Sequence, residues 1–342
     1  MTKSFESMWR RLIVVLALGC VAASGARAQG AAAARPAGDP NKFAVIVSGA
    51  SGDEEFARRF AKWTAELRRS LVERYGFDEA RLTVLTESPE GGAAAPRATA
   101  EELRRAFNTL RAKTTPESTV FVFLIGHGTF DGRAAKFSLV GPDMSAAEYA
   151  GLIDAVPARR VVVFQMASAS GEFIKPLSAR GRVVVTATRS GQEQNATRFP
   201  EHFIAALASR DADADQNGRV SVLEAFDHAA RLTAEQYKRA GRLATEHALL
   251  DDSGDGVGHA TAEGGDGAVA RHVYLDSLSV EQAAASAETA RLLRERERLT
   301  EEVEQLKTRK GQLSESAYEA ELERLFVSLA KVNRSIKKGA GR

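Results

Sequence analysis

Cysteine is nearly absent from this chain of 342 residues, which contains Cys20 and no other. Residues 1–28 have the pattern of a secretory signal peptide, so cleavage after Ala28 would leave a mature protein without a thiol. A chain without thiols forms no disulfide, no cysteine-ligated zinc site and no thiolate nucleophile. The mature protein is therefore excluded from the disulfide-stabilised domains and from the enzymes that depend on a catalytic cysteine.

Long apolar runs are also missing. The N-terminal segment has a basic region at 9–11 that contains Arg10 and Arg11, an apolar stretch from Leu12 to Ala23 and a small-x-small sequence at 26–28. About twelve apolar residues fall short of the roughly 20 that a membrane span needs. We therefore predict a cleaved signal peptide and export to the periplasm or the medium. Attachment as a lipoprotein through Cys20 is the alternative, although Ala17 stands where leucine is usual.

Neither sign of charge is in excess. The chain has 47 Lys and Arg against 45 Asp and Glu, and removal of the signal peptide brings it still closer to neutrality. Proteins that bind nucleic acid through phosphates have a clear surplus of basic residues. The sequence therefore predicts no nucleic-acid partner and, in the mature chain, no transmembrane span.

Short apolar runs alternate with amphipathic segments after a proline-containing linker at 29–41. This alternation predicts an α/β fold for residues 42–278, namely a three-layer sandwich whose mainly parallel sheet has helices on both faces. Helices are expected at about 55–75, after Thr99 with Glu102 in the capping-box position, and from Ser145 to Asp154. The predicted strands cover residues 43–48, 81–86, 119–128, 160–168 and 182–191.

The C-terminal segment, residues 279–342, is rich in charge and has apolar residues at heptad-like intervals. Ser316 and Glu319 could cap a second helix after an interruption around Gly311. The pattern predicts a helical hairpin or a short coiled coil that self-associates or binds a partner. Solvated helices packed on the domain are the alternative. The apolar positions of the first predicted helix are Leu292, Leu299, Val303, Leu306 and Leu313.

Polar residues follow two of the predicted strands at the point where each strand ends. His127 and Gly128 come directly after one apolar run, and Ser168 ends another. The carboxyl ends of parallel strands meet at one edge of the sheet, where α/β proteins place their ligands. We therefore expect His127 and Ser168 to face one crevice.

These two blocks resemble the caspase and legumain type of cysteine peptidase, whose strands end in His-Gly and in Ala-Cys. His127-Gly128 matches the first block and residues 166–171 align with the second. The likeness is closer to bacterial legumain-like members and extends over about residues 43–274. The resemblance implies a caspase-like fold, a proteolytic ancestry and a catalytic role for His127.

The chain departs from that family at the nucleophile, since Ser168 stands where the family has cysteine. A hydroxyl needs a well-placed base to lose its proton, whereas a thiol is partly ionised at neutral pH. The sequence therefore predicts a pseudopeptidase whose crevice binds a peptide or protein. The alternatives are a hydrolase that uses Ser168 with His127, with amides around Gly128 as oxyanion donors, and a coiled-coil assembly protein of the envelope. Ser170 is a second hydroxyl, for which a turn role is expected.

Residues 213–224, DADQNGRVSVLE, match a twelve-residue EF-hand calcium loop between two predicted helices. Oxygen ligands at alternate positions suit Ca²⁺, Gly218 stands at the sharp turn, and Val220 is the usual apolar anchor. An acidic loop without metal is the alternative, and residues 251–259 form a degenerate echo of the motif. The other five histidines have no ligand spacing. The predicted Ca²⁺ ligands are Asp213, Asp215, Asn217, the carbonyl of Arg219, Ser221 and Glu224.

Overall fold

The computed structural model describes residues 39–88, 96–261, 265–276 and 287–340. The predicted signal peptide at 1–28, residues 29–38 of the predicted linker and the last two residues lie outside this range. Within the described ranges, no helix combines the length and apolar character that a bilayer span requires.

A six-stranded sheet with the order β2-β1-β3-β7-β8-β9 forms the centre of the fold. Its first five strands are parallel, and β9 pairs antiparallel with β8. A mainly parallel sheet was predicted, but the short β9 was not. The sheet strands are β1 (Lys42–Ser48), β2 (Leu82–Leu85), β3 (Thr119–Ile125), β7 (Arg160–Gln165), β8 (Arg182–Thr186) and β9 (Leu249–Asp251).

Helices cover both faces of this sheet, which confirms the predicted three-layer arrangement. Side chains alternate across each strand, so Ala44 and Ile46 of β1 pack on one layer while Val45 and Val47 pack on the other. The first layer contains α1 (Glu54–Arg69), α5 (Phe199–Ala208) and α6 (Val222–Arg239). The second contains α2 (Ala100–Lys113), α3 (Ala146–Asp154) and the short α4 (Ile174–Leu177).

Local capping signals in the sequence agree with the helix starts. The Thr99 hydroxyl accepts a hydrogen bond of 3.2 Å from the Glu102 amide, and Ser145 and Glu148 form a reciprocal capping box. Each cap satisfies amides that the first helical turn leaves free. Beyond its last residue α1 continues as a π-helical turn over Ser70–Arg74.

A second, three-stranded antiparallel sheet was not predicted. It consists of β4 (Gly128–Phe130), β5 (Ala135–Phe137) and β6 (Met144–Ser145). The expected strand at 119–128 therefore divides in two, because the chain leaves the main sheet at Gly126 and joins this smaller one. A Cβ at Gly126 would lie 2.9 Å from the Phe137 ring, so the small residue allows the crossing.

The tail forms two helices, α7 (Ala287–Thr308) and α8 (Glu315–Ala340), that pack against each other. Leu299, Val303 and Leu306 of α7 are buried with Leu325 of α8. The second helix begins one residue before the expected cap, because the Ser314 hydroxyl, and not that of Ser316, accepts a bond of 3.3 Å from the Ala317 amide. Residues 279–286 of the predicted tail lie outside the described residues.

Candidate functional site

Four loops meet at the carboxyl edge of the main sheet. They follow β1, β3, β7 and β8, which are neighbours in the sheet. The loops carry Ser51, His127, Ser168 and Thr188 respectively. The structure thus places the two sequence-predicted residues, His127 and Ser168, after adjacent parallel strands.

The Ser168 hydroxyl is turned into the protein. Its Oγ accepts a hydrogen bond of 3.1 Å from the Gly128 amide and donates one of 3.0 Å to the Gly128 carbonyl. Only 2% of the residue is exposed. The one donor hydrogen of this hydroxyl and one of its two acceptor lone pairs are therefore bonded to a single backbone residue of the neighbouring loop.

Gly128 and Ser168 approach so closely that no side chain fits between their loops. A Cβ at Gly128 would lie 2.4 Å from the Ser168 carbonyl oxygen and 3.1 Å from that of Lys136. These neighbours are backbone atoms, which cannot swing away as a side chain can. The glycine of the His-Gly pair is thus required by packing at this edge.

The imidazole of His127 has contacts of its own at this edge. Its Nε2 donates to the Ser51 carbonyl at 3.1 Å, and its ring packs edge-on against Phe56 and Phe60 at centroid distances of 4.6 and 5.2 Å. Within the described residues, the ring makes no hydrogen bond to Ser168. The two residues therefore lie at one edge of the sheet, but their side chains are hydrogen-bonded to different partners.

A carboxylate supports the loop that binds the imidazole. Glu87 accepts hydrogen bonds from the hydroxyl and the amide of Ser51 at 2.5 and 3.3 Å. Burial lowers the pKa of His127 below its usual value near 6.5, and the bond to Ser51 offsets part of that shift. The neutral imidazole, with Nε2 protonated, is the form that fits these contacts.

The hydroxyl of Ser170 lies in a buried group of hydrogen bonds between two loops. Its hydroxyl oxygen accepts from the amides of Ala187 and Thr188 at 3.1 and 3.0 Å and lies 3.1 Å from the Thr188 hydroxyl. The residue is fully buried. It ties the loop after β7 to the loop after β8. Ala169 between the two serines takes the left-handed conformation, with φ of 52°.

The structure brings together a second imidazole and a carboxylate that the sequence did not single out. Glu193 Oε1 lies 2.5 Å from His247 Nδ1, and its Oε2 accepts from the amides of Arg189 and His247. The Glu193 carbonyl also accepts from the amide of Ala169, beside Ser168. No local pattern could have indicated this pair, because its members are 54 residues apart.

The second predicted site lies in the connection between α5 and α6. One ligand oxygen from each of Asp213, Asp215 and Glu224 lies within 4.8 Å of the other two, so this triad could hold a metal ion. The turn that brings them together needs positive φ angles at Gln216 (57°) and Gly218 (83°). Val220 is buried, as expected for the anchor of the loop.

The remaining predicted ligands are held by local hydrogen bonds. The Asn217 side-chain oxygen accepts from the Arg219 amide at 2.8 Å, and its nitrogen donates to Asp215 at 2.8 Å. Ser221 caps α6 in a reciprocal box with Glu224. The Arg219 side chain is bonded to Asp276, and the ligand role of its carbonyl stays a prediction.

The acidic run at 251–259 stabilises turns. The carboxylate of Asp252 is buried and accepts from the amides of Gly267, Val269 and Ala270 at 2.7–2.9 Å. Asp266, also buried, accepts from two amides and contacts His259 Nδ1 at 2.6 Å. Both carboxylates are buried as well as bonded to backbone amides, so we interpret this degenerate echo of the calcium motif as a structural loop.

Comparisons with known proteins assign no family. No family model matches the chain, and no curated protein matches it. Among solved structures, the crystal structure of protein GSU0716 from Geobacter sulfurreducens is 13% identical, and the alignment covers 56% of this chain and 89% of that one. The TM-score is 0.39, which is too low to support a conclusion about the fold or function of this chain.

Proposed function

We propose that this protein is an exported, catalytically inactive relative of caspase and legumain type peptidases. In this proposal the carboxyl edge of the sheet binds a peptide or protein, and the loop at 213–224 binds Ca²⁺. The likeness of the two motif blocks supports the ancestry, and the α/β sandwich agrees with it. Export rests on the sequence of residues 1–28.

One observation carries the proposed loss of activity. The Ser168 hydroxyl forms both of its hydrogen bonds with Gly128, while His127 is bonded to Ser51. A serine nucleophile instead requires a hydrogen bond to its base and an open position for the carbonyl that it attacks. This geometry supports the loss of hydrolytic activity, whereas the proposed binding of a peptide or protein rests on the resemblance to the peptidases.

Peptidase activity against a mixed peptide library, with calcium present, tests the proposal. The purified mature chain is compared with Ser168→Ala and Ser168→Cys, and a fluorophosphonate probe reports any activated serine. We expect no cleavage and no labelling by the native chain, because its hydroxyl has no base. The Ser168→Ala variant should be equally silent.

Two outcomes are informative beyond that silence. Cleavage by the native chain that Ser168→Ala abolishes would establish a serine hydrolase and overturn the proposal. Activity that appears only in Ser168→Cys would show that the site still supports cysteine-dependent cleavage and that the native chain lacks only the thiol. Binding partners would then be sought with the native chain.

Calcium binding has a separate test. The three carboxylates supply hard oxygen ligands, which bind Ca²⁺ in preference to softer metal ions. Glu224→Gln removes one charge but keeps a side chain that can still form the capping box with Ser221. Calorimetric titration should therefore show binding to the native chain and at least a tenfold loss in Glu224→Gln. Equal affinities would contradict the assignment.

Self-association of the tail stays a prediction. Two apolar side chains of α8, Phe326 and Val327, are 52% and 46% exposed, which is compatible with a partner on that face. To test whether the tail assembles the protein, residues 279–342 are deleted and the molar mass of the full and the shortened chain is measured by light scattering. Loss of an oligomer without loss of the domain fold would favour assembly.

A further inference from the structure

A short segment of the chain runs beside the calcium loop. It comprises residues 273–276, which come just before the tail in sequence. The Val222 amide donates to the Val273 carbonyl at 2.8 Å, and Ser221 and Tyr274 form an antiparallel bridge. The segment thus pairs with the end of the loop, where Ser221 is a predicted ligand.

The side chain of Arg219 fastens this segment to the middle of the loop. Its Nε and Nη2 donate to both oxygens of Asp276 at 2.7–3.1 Å, and its guanidinium stacks 3.7 Å from the centre of the Tyr274 ring. The side chains of Arg219 and Asp276 are only 17% and 25% exposed. A bidentate ion pair that also stacks on an aromatic ring holds the guanidinium in one orientation. We refer to Arg219, Tyr274 and Asp276 as the arginine clamp.

The same segment is fixed from the sheet side. The Lys42 ammonium, at the start of β1, donates to the carbonyls of Tyr274, Leu275 and Asp276. Leu275 is fully buried. Residues 273–276 are therefore held between the first strand of the domain and the calcium loop.

Asn217 links the clamp to the predicted ligands. Its side-chain nitrogen donates to Asp215 at 2.8 Å and lies 3.5 Å from the Tyr274 hydroxyl, while its oxygen accepts from the amide of Arg219. If the Asn217 side chain rotates so that its oxygen faces a cation, its contacts with the Tyr274 hydroxyl and the Arg219 amide must change. The ligand set and the clamp share hydrogen bonds and are not independent.

We propose that the arginine clamp positions the cation-binding loop, and that cation binding in turn fixes residues 273–276, from which the chain continues toward its tail. The inference rests on the calcium binding proposed above. Coupling of this kind is reciprocal, because a clamp that becomes firmer when the cation binds must also strengthen cation binding. Arg219 and Asp276 are thus positioning residues, and none of the clamp side chains is a predicted ligand.

Arg219→Ala separates the clamp from the ligands, because the predicted ligand at this position is the backbone carbonyl, which alanine retains. Electrostatics alone would raise the affinity of this variant for Ca²⁺, since a positive charge beside the carboxylates is removed. The proposal predicts the opposite sign, a loss of about tenfold, as is typical when an outer-sphere partner is removed. Arg239→Ala removes an exposed arginine from the end of α6 and serves as the control.

Calorimetry with CaCl₂ gives three distinguishable results. Weaker binding by Arg219→Ala with unchanged or tighter binding by Arg239→Ala supports the clamp. If the native chain binds calcium and Arg219→Ala binds it equally well or more tightly, the proposed role of the clamp is overturned, but the proposal of calcium binding stands. A native chain that binds no calcium overturns both proposals. If Arg219→Ala does not fold, Arg219→Lys, which keeps the charge but loses the fork geometry, should show the same loss.

Amide hydrogen exchange measures the second half of the proposal. Addition of CaCl₂ should slow exchange in the peptide that covers residues 270–276 of the native chain by about tenfold, matching the change in affinity. The effect should disappear in Glu224→Gln and shrink in Arg219→Ala. Slowing confined to residues 213–224 would show that the loop binds without acting on the segment, and would overturn the coupling.

Discussion

The carboxyl edge of the sheet and the loop at 213–224 both contain residue types that the sequence marks as functional, but they differ in how those side chains are used. At the edge, Ser168 and Ser170 are buried and bonded to backbone groups. In the loop, Asp215 and Asn217 are exposed, and three carboxylates turn toward one point. The loop carboxylates also accept hydrogen bonds from amides of their own loop, so the two regions differ in exposure and in the convergence of negative charge, not in whether their polar atoms have partners.

The two regions differ in how far away in sequence their hydrogen-bond partners lie. The partners of Ser168 come from a strand 40 residues away, and their approach is enforced by the packing of the sheet. The amides that donate to the three loop carboxylates lie at most ten residues away. Local geometry therefore keeps the carboxylates together in the loop, whereas at the edge the tertiary fold decides where each hydroxyl points.

A matched pair of glycine substitutions should give the largest contrast. Gly128→Ala forces a Cβ to within 2.4 Å of the Ser168 carbonyl oxygen, so we expect a loss of about 3 kcal/mol in the free energy of unfolding. Gly218→Ala meets nothing within 4 Å, and the cost is the left-handed conformation alone, about 1 kcal/mol. Urea unfolding of both variants measures the difference. Equal losses would mean that the two loops at the edge can move apart.

A matched pair of serine substitutions should give a smaller contrast. Ser168→Ala leaves the amide and the carbonyl of Gly128 buried without partners, at a cost of about 2 kcal/mol. Ser221→Ala removes the cap of α6 at a cost of about 1 kcal/mol. Thermal unfolding without calcium ranks the two. A Ser168→Ala variant as stable as the native chain would indicate that water reaches Gly128, and the edge would then be open.

The sequence predicted those features whose physical cause is local. The Ser145 capping box, the alternation of strands and helices and the turn at Gly218 each depend on residues a few positions apart. The strand β9, the small sheet that begins at Gly128 and the pairing of Glu193 with His247 depend on distant segments. The position of Ser168 at the edge was predictable because the carboxyl ends of parallel strands lie at one edge, but the direction of its hydroxyl was not.

The smallest expected effect concerns the pH dependence of stability. Burial lowers the pKa of His127, so the unfolded chain takes up a proton at this residue more readily than the folded chain. The contribution of His127 is therefore fully present above pH 6.5 and is lost as the pH falls through the lower, folded-state value. His127→Gln retains a donor for the Ser51 carbonyl but does not titrate.

Urea unfolding of the native chain and of His127→Gln, measured between pH 7.5 and about pH 5, tests this assignment. The native chain should lose more stability than the variant over this interval, because only the native chain has a group at this position that is protonated more readily when unfolded. Identical slopes would show that His127 is protonated as easily in the folded as in the unfolded chain. The imidazole would then be open to solvent, as a catalytic base must be to its substrate, and the contrast between a closed edge and an open loop would fail at this residue.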